Sequence, residues 1–424
     1  MKNYKKVYAA FILAGGLILH GCNGIFDDLA INPNQPSMGA YFTSPSAVND
    51  AVMTMYGYMS TQRCLGASGS KTTIIRSDEA SSNSDYGKPG MFGADLNASY
   101  YTIEQPYTLM YTTASQASYI IETAPSVDFS GNEELRNAYM GEAYFWRAFA
   151  HYYLLINFRN ISPIRQMPRN GDDYVRPLEK PAAVWNFIQE DLAHAKELLP
   201  VKGYWDSKNA GRVTKASAAA LLGKAYLYRS GIEQYYGEDK TTFYSEAAKE
   251  FGDVIDGKYG TYDLTKNYAD NFDVAHENNE ESILEFQFLG DVDNAGFNPG
   301  LATSGLAFDS RGLMLPGAGV GYEGVVHNWL YNAFVNSVDK DGYTDIRMFS
   351  TMIFNDLDAS IHLRNDAGGN PVRLEGPGGY KWEELYPAKN GKEGFATVSN
   401  PLAHSFKAGI RKGIDCSMPT QTEA

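Results

Sequence analysis

Val52, Met55, Tyr56 and Met59 stand at i, i+3, i+4 and i+7. That spacing lays one apolar stripe along a helix and predicts an α-helix over 49–59. Residues 66–99 are rich in Gly, Ser, Asn and Asp and carry no such period, so they read as loop. The helical period returns over 107–121, where Pro125 closes it, and again over 132–157 and 215–229. From 290 to 324 the chain turns Gly-rich with few charges and no sustained period. A short helix is expected over 325–337. Beyond it come short apolar runs such as 348–354 and Gly-Pro turns near Gly376-Pro377-Gly378-Gly379.

Two of the helical stretches repeat each other. Gly141-Glu142-Ala143-Tyr144 in the first returns as Gly223-Lys224-Ala225-Tyr226 in the second. Gly-x-x-Tyr after an apolar residue is the core of the first helix of a tetratricopeptide unit. The glycine there lets the partner helix approach, and the tyrosine fills the groove that is left. The second helices follow from the spacing of Ile188, Leu192, Ala195 and Pro200, and of Ala247, Phe251 and Val254. Gly223 to Ala247 is about twice the spacing of a standard unit and Gly141 to Ile188 about four times it. The expected fold class is therefore mainly α, with degenerate tetratricopeptide-like helix pairs, long loop insertions and an irregular, loop-rich ligand-binding region. Function is expected on the inserted surface, as loops on a rigid scaffold tend to carry it.

The amino terminus concerns address. Lys2, Lys5 and Lys6 precede an apolar run over 7–19, too short to span a bilayer permanently. A basic start, a short apolar middle and a small-residue end make a secretory signal. Leu19-His20-Gly21-Cys22 resembles a lipobox, with cleavage before a lipidated Cys22; the other reading is an ordinary signal peptide cut near Gly21. The organisation read from the sequence is a signal peptide at 1–21, a lipidated tether at 22–36, a helical scaffold at 37–289 and an irregular region at 290–424. Acyl chains on Cys22 would hold the protein to a membrane.

Lys and Arg number 36 against 50 Asp and Glu, a formal net charge of −14. A chain so acidic lacks the clustered cations that nucleic acid requires. Beyond Cys22 only Cys64 and Cys416 remain, too few for a disulfide scaffold, and no CxxC supports a zinc site. The histidines form no HExxH, and His151, among Tyr152 and Tyr153, reads as a core residue. Gly319-x-Gly321-x-x-Gly324 matches a dinucleotide fingerprint, but Pro316 and Gly317 precede it where a strand is required. Asp291-x-Asp293-x-x-Gly296 resembles the start of a calcium loop, yet Ala295 and Ala302 occupy ligand positions. No cofactor is expected; a non-standard structural calcium there is the one alternative.

Binding a sugar needs flat rings for the apolar face of a pyranose, and Asn, Asp, Gln or Arg for its hydroxyls, all kept exposed in loops. The 78–101 loop ranks first, with Asp78, Asn83, Asp85, Tyr86, Phe92, Asn97, Tyr100 and Tyr101. Tyr322 and Trp329 come next, then Trp382 and Tyr380. The leading set is Asp78, Asn83, Tyr86, Phe92, Tyr322 and Trp382. The competing reading for each aromatic is partial burial against the scaffold; Trp146 and Trp185, on predicted helices, are expected in the core.

Together, the lipobox, Glu142-Ala143-Tyr144-Phe145-Trp146-Arg147-Ala148-Phe149, Gly211-Arg212-Val213-Thr214-Lys215-Ala216, the Ala220 to Tyr228 block and Asp345-x-Arg347 resemble the SusD/RagB family of outer-membrane nutrient-binding lipoproteins. The resemblance implies a lipid-anchored, surface-exposed, non-catalytic subunit. Such a subunit binds oligosaccharide and delivers it to a TonB-dependent, SusC-like transporter. It leaves three alternatives: a RagB-like peptide-binding uptake subunit, a secreted glycoside hydrolase, and a helical-repeat adaptor. There are two departures. Ser118 stands where the family usually has asparagine. A further C-terminal helical unit expected from the resemblance has no counterpart in this sequence, so 290–424 reads as truncated.

Overall fold

The Ser44 side chain accepts a hydrogen bond from Ala47 N and Pro45 supplies a preset φ, so helix α1 begins there and spans Pro45–Ser60. Val48, Val52, Met55 and Met59 on its inner stripe are fully buried. The computed structural model describes residues 42–61, 63–65, 76–81, 98–167, 175–237, 239–272, 276–287, 325–345, 347–354, 361–364, 367–368 and 408–410. The signal, the lipobox, the tether and the possible calcium loop lie outside them.

Five further helices follow in the scaffold: α2 (Tyr101–Thr123), α3 (Glu133–Phe158), α4 (Pro181–Leu198), α5 (Lys215–Tyr236) and α6 (Tyr244–Ile255). The α2 helix starts ahead of its expected position and runs across Pro106, which costs one backbone bond near its amino end. The Asn132 side chain caps α3 by accepting from Leu135 N at 3.1 Å. The α5 helix continues past its expected end until Gly237, whose φ of 70° gives the left-handed cap. Each helix packs against the next, α1 to α6, which makes a stack of helical hairpins. One hydrophobic cluster runs from α1 to α5, and Trp146 and Trp185 are both fully buried in it.

The glycines of the repeated block do what the spacing predicts. A Cβ on Gly141 would meet Leu199 Cγ at 2.8 Å and its backbone N at 3.0 Å, and one on Gly223 would meet the Phe251 ring at 2.8 Å. Tyr144 and Tyr226 fill the space beside them, against His194 and Phe243.

A second, smaller element pairs four short strands antiparallel in the order β1-β2-β4-β3: β1 (Ala80–Ser81), β2 (Val325–Val326), β3 (Met352–Phe354) and β4 (Ala408–Ile410). Helix α7 (Asn328–Asn336) follows β2, and α8 (Arg347–Thr351) precedes β3. The helix expected over 325–337 is thus corrected to a strand followed by a shorter helix. The two β-branched valines suit a pleated ladder, and His327 stays extended while its N–H donates to Glu79 O at 2.9 Å. Val326, Tyr331, Met348 and Ile361 form the buried cluster beneath. No helix among the described residues is long and apolar enough to cross a membrane.

Candidate functional site

The motif blocks fold into buried polar clamps. Glu142, midway along α3, is fully buried, where an unpaired carboxylate would be very costly. Arg212 grips it as a fork, Nε to Oε1 at 2.9 Å and one terminal nitrogen to Oε2 at 2.5 Å. The Tyr56 hydroxyl donates to the same Oε1 at 2.7 Å and accepts from Val213 N at 2.8 Å. The Arg212 plane lies 4.2 Å from the Trp205 ring centroid. Burial pushes the Glu142 carboxyl above its ordinary range, against the pull of Arg212.

A second clamp joins Arg147 to both oxygens of Asp191 at 2.7 Å and to the Ser118 hydroxyl at 3.1 Å. Ser118 in turn donates to Ile164 O at 3.1 Å. The departure from asparagine therefore still places a bridging group between these segments. His151 is buried, as expected, with Nδ1 2.7 Å from Arg147 O and Nε2 accepting from Ile164 N at 2.9 Å. Only the neutral ring with its proton on Nδ1 satisfies both partners, and burial lowers its pKa to about 3. In a third clamp, Glu233 receives Arg159 on both oxygens at 2.7 Å and Trp185 Nε1 at 2.8 Å. These groups are tied to one another, so the motifs that carry the resemblance build the scaffold and leave binding to other residues.

The small sheet supplies the exposed chemistry. Ser81 pairs with Val325 across β1 and β2, so the chain leaves for 82–97 beside the point where it returns from 288–324. Two of the residues singled out for sugar binding meet there. Trp329 on α7 donates from Nε1 to the backbone carbonyl of Asp78 at 2.5 Å, across 251 positions of sequence. Tyr331, on the opposite side of the helix, is 2% exposed and anchors α7 in the small cluster, whereas Trp329 is 49% exposed. The indole is thus held in one orientation by a bond at its edge while half of its surface faces solvent. A fixed, exposed ring bonded to the backbone of the exposed Asp78 offers an apolar plate beside acidic residues, the residue types that a sugar's ring face and hydroxyls require.

Of the other candidates, Tyr100 is half-buried at the start of α2. Tyr101 is corrected from the loop to the first residue of that helix. Asn83, Asp85, Tyr86, Phe92, Asn97, Tyr322, Tyr380 and Trp382 lie outside the described residues. Among the described residues no three His, Cys, Asp or Glu side chains gather as metal ligands. One feature escaped the sequence reading: an open groove of about 520 Å³ over Gly231, walled by Leu227, Tyr228, Tyr235 and Tyr244. The tyrosine spacing was visible, but helical periodicity does not say which stripe lacks a neighbour.

Residues 30–227 match the SusD-like family, described as starch-binding associating with the outer membrane. A SusD-like protein of Bacteroides ovatus is 26% identical over 68% of this chain and 51% of its own length. SusD-like protein P2 of Formosa agariphila is 26% identical over 70% of this chain and 55% of its own. The chain therefore spans about half the length of these curated relatives. In structure it is similar to a SusD superfamily protein of Bacteroides vulgatus, with a TM-score of 0.62, 20% identity, and coverage of 88% of this chain and 68% of that one. A laminarin-binding SusD-like protein gives a TM-score of 0.59 at 20% identity, covering 88% of this chain and 73% of that one.

Proposed function

We propose, since residues 30–227 match the SusD-like family and the chain is similar in fold to SusD superfamily proteins, that it captures oligosaccharide at the outer membrane and holds it without chemical change. The lipidated Cys22 tethers it, and the ligand passes to a TonB-dependent, SusC-like transporter. Trp329, pinned through Nε1 to the Asp78 carbonyl and half exposed, carries the reading. A scaffold with no binding role gains nothing from holding an indole face to solvent. Asn83, Tyr86, Phe92 and Tyr322, which follow Ser81 or precede Val325 in sequence, would add to the binding surface, and Trp382 would extend it. Peptide capture is the other reading within the family, but no observation on this site favours it.

Because a laminarin binder shares the fold, laminari-oligosaccharides are the first probe, followed by a wider glycan array, on the full chain carrying Cys22→Ser. Trp329→Ala is expected to weaken binding about tenfold, an effect of about 1.4 kcal/mol. Trp329→Phe, which keeps a ring but loses the tether, should fall between. Unchanged affinity in Trp329→Ala, Tyr86→Ala and Trp382→Ala alike, or a chain that binds no glycan, would defeat the proposal.

A further inference from the structure

Helix α7 has two distinct faces. Leu330, Tyr331, Phe334 and Val335 turn to the small buried cluster. Trp329, Asn332, Ala333 and Asn336 are all exposed, and their i, i+3, i+4, i+7 spacing sets them in one stripe along the outer side. An exposed helical stripe is ordinarily built from Lys, Glu and other strong helix formers. Here it holds no charge, and Asn332 stands mid-helix although asparagine favours caps and turns. Asparagines of the scaffold are committed to it: Asn49 accepts from Arg212, Asn186 accepts from Arg229, and Asn271 donates to Glu281. Among the described residues, the amides of Asn332 and Asn336 have no hydrogen-bond partner. Each offers donors and an acceptor together, which suits neighbouring hydroxyls of a sugar.

The helix geometry sets a length. One turn advances about 5.4 Å, close to the advance of one pyranose along its chain. From Trp329, Asn332 stands about 4.5 Å further along the axis and Asn336 about 10.5 Å. Ala333, between the two amides, is too small to lift a ligand off the helix. Trp329 is fixed through Nε1 to the Asp78 carbonyl, so the three side chains fall in line with three successive sugar rings. No Lys or Arg stands on the stripe to pair with a carboxylate or sulfate, and the net charge of −14 repels a polyanion. We propose that the exposed stripe of α7 is a track for three consecutive units of an uncharged oligosaccharide. Trp329 stacks on the first ring, and Asn332 and Asn336 bond to hydroxyls of the second and third. This rests on the capture proposed above and adds the ligand's length and charge.

Isothermal titration calorimetry of the full chain carrying Cys22→Ser, with laminari- and cello-oligosaccharides of one to six units, tests this. Affinity should climb at each step from one unit to three. Asn336→Ala should weaken the trisaccharide about fivefold and leave the disaccharide unchanged, whereas Asn332→Ala should weaken both by about that factor. Both variants keep the fold, since each side chain is exposed and alanine is the better helix former. Trp329→Ala should weaken every length. The C6-carboxylate form of the trisaccharide should bind at least about tenfold more weakly than the neutral one. If Trp329→Ala weakens binding while both asparagine variants bind every length as the parent does, the track is overturned and capture at Trp329 stands. Equal affinity for the carboxylated trisaccharide overturns the uncharged class. A chain that binds neither series also overturns the track, and the wider glycan array then decides capture itself.

Discussion

Without Arg212, Glu142 would keep a single donor, the Tyr56 hydroxyl, in a place fully closed to water. Arg212→Ala is therefore expected to lower unfolding stability by about 3–5 kcal/mol in a denaturant titration, whereas replacing both partners by Leu and Met should cost less than the single change. If the double variant proves the less stable, the cost lies in lost packing against Trp205. His151 gives a signed pH dependence. Its folded pKa is lowered from 6.5 to about 3, chiefly by burial and then by the nearby Arg147 and Arg165 charges. Below pH 6.5 the unfolded chain takes up the proton that the folded chain refuses, so stability falls with pH from about 6.5 to about 3, by at most about 1.4 kcal/mol per unit, and is unaffected above. Burial raises the Glu142 and Asp191 carboxyls, which act in the opposite sense. Comparison with His151→Gln isolates the histidine, because both proteins keep those carboxyls. His151→Gln, whose amide can still accept from Ile164 N, should lose the fall in stability between pH 6.5 and about 3; an unchanged slope would assign the acid sensitivity elsewhere.

The two repeat glycines occupy equivalent positions in their helices but face different neighbours. Beside Gly141 stand the Leu199 side chain and its backbone nitrogen, which cannot move without shifting the end of α4; beside Gly223 stands only the Phe251 ring, which can turn. Gly141→Ala should therefore cost about 2–3 kcal/mol and Gly223→Ala clearly less, read as denaturation midpoints. Gly223→Ala combined with Phe251→Leu should recover most of its loss. Equal costs at the two sites would show that Leu199 yields as readily as Phe251. This contrast also marks what could be read in advance. The helices were legible because stripes such as Val52, Met55, Tyr56 and Met59 face one core, and the Gly-x-x-Tyr spacing named both close approaches. Val325 and Val326 were misread because two apolar residues beside a helical stripe extend it on paper, while in the fold their ladder partner is Ala80–Ser81. The partners of Glu142 and Arg147 were equally hidden, because a salt bridge across 70 positions leaves no periodic trace.

Across the whole molecule the buried surface is unevenly shared. The scaffold core runs through five helices, whereas the platform under Trp329 rests on Val326, Tyr331, Met348 and Ile361. Among the described residues that is a small set of buried side chains, which holds a segment only weakly, and binding surfaces are commonly drawn from such regions. The Trp329–Asp78 contact also depends on strands of two or three residues staying paired, which no pattern along the sequence announced. Amides of α7 should then exchange with deuterium through local opening, at a lower free energy than those of α3. Tyr331→Ala, which empties that small core at a cost of about 3 kcal/mol, should speed α7 exchange and leave α3 to α5 unchanged. It should also weaken glycan binding, although Tyr331 is buried away from any ligand, because Trp329 loses its mount. A saturating oligosaccharide should reverse the order, slowing α7 by RT ln(1 + [L]/Kd) while the scaffold amides stay as they were. If α7 and α3 exchange at one common free energy, and Tyr331→Ala shifts both together, the platform is part of the scaffold's own cooperative unit and its weak mounting must be abandoned.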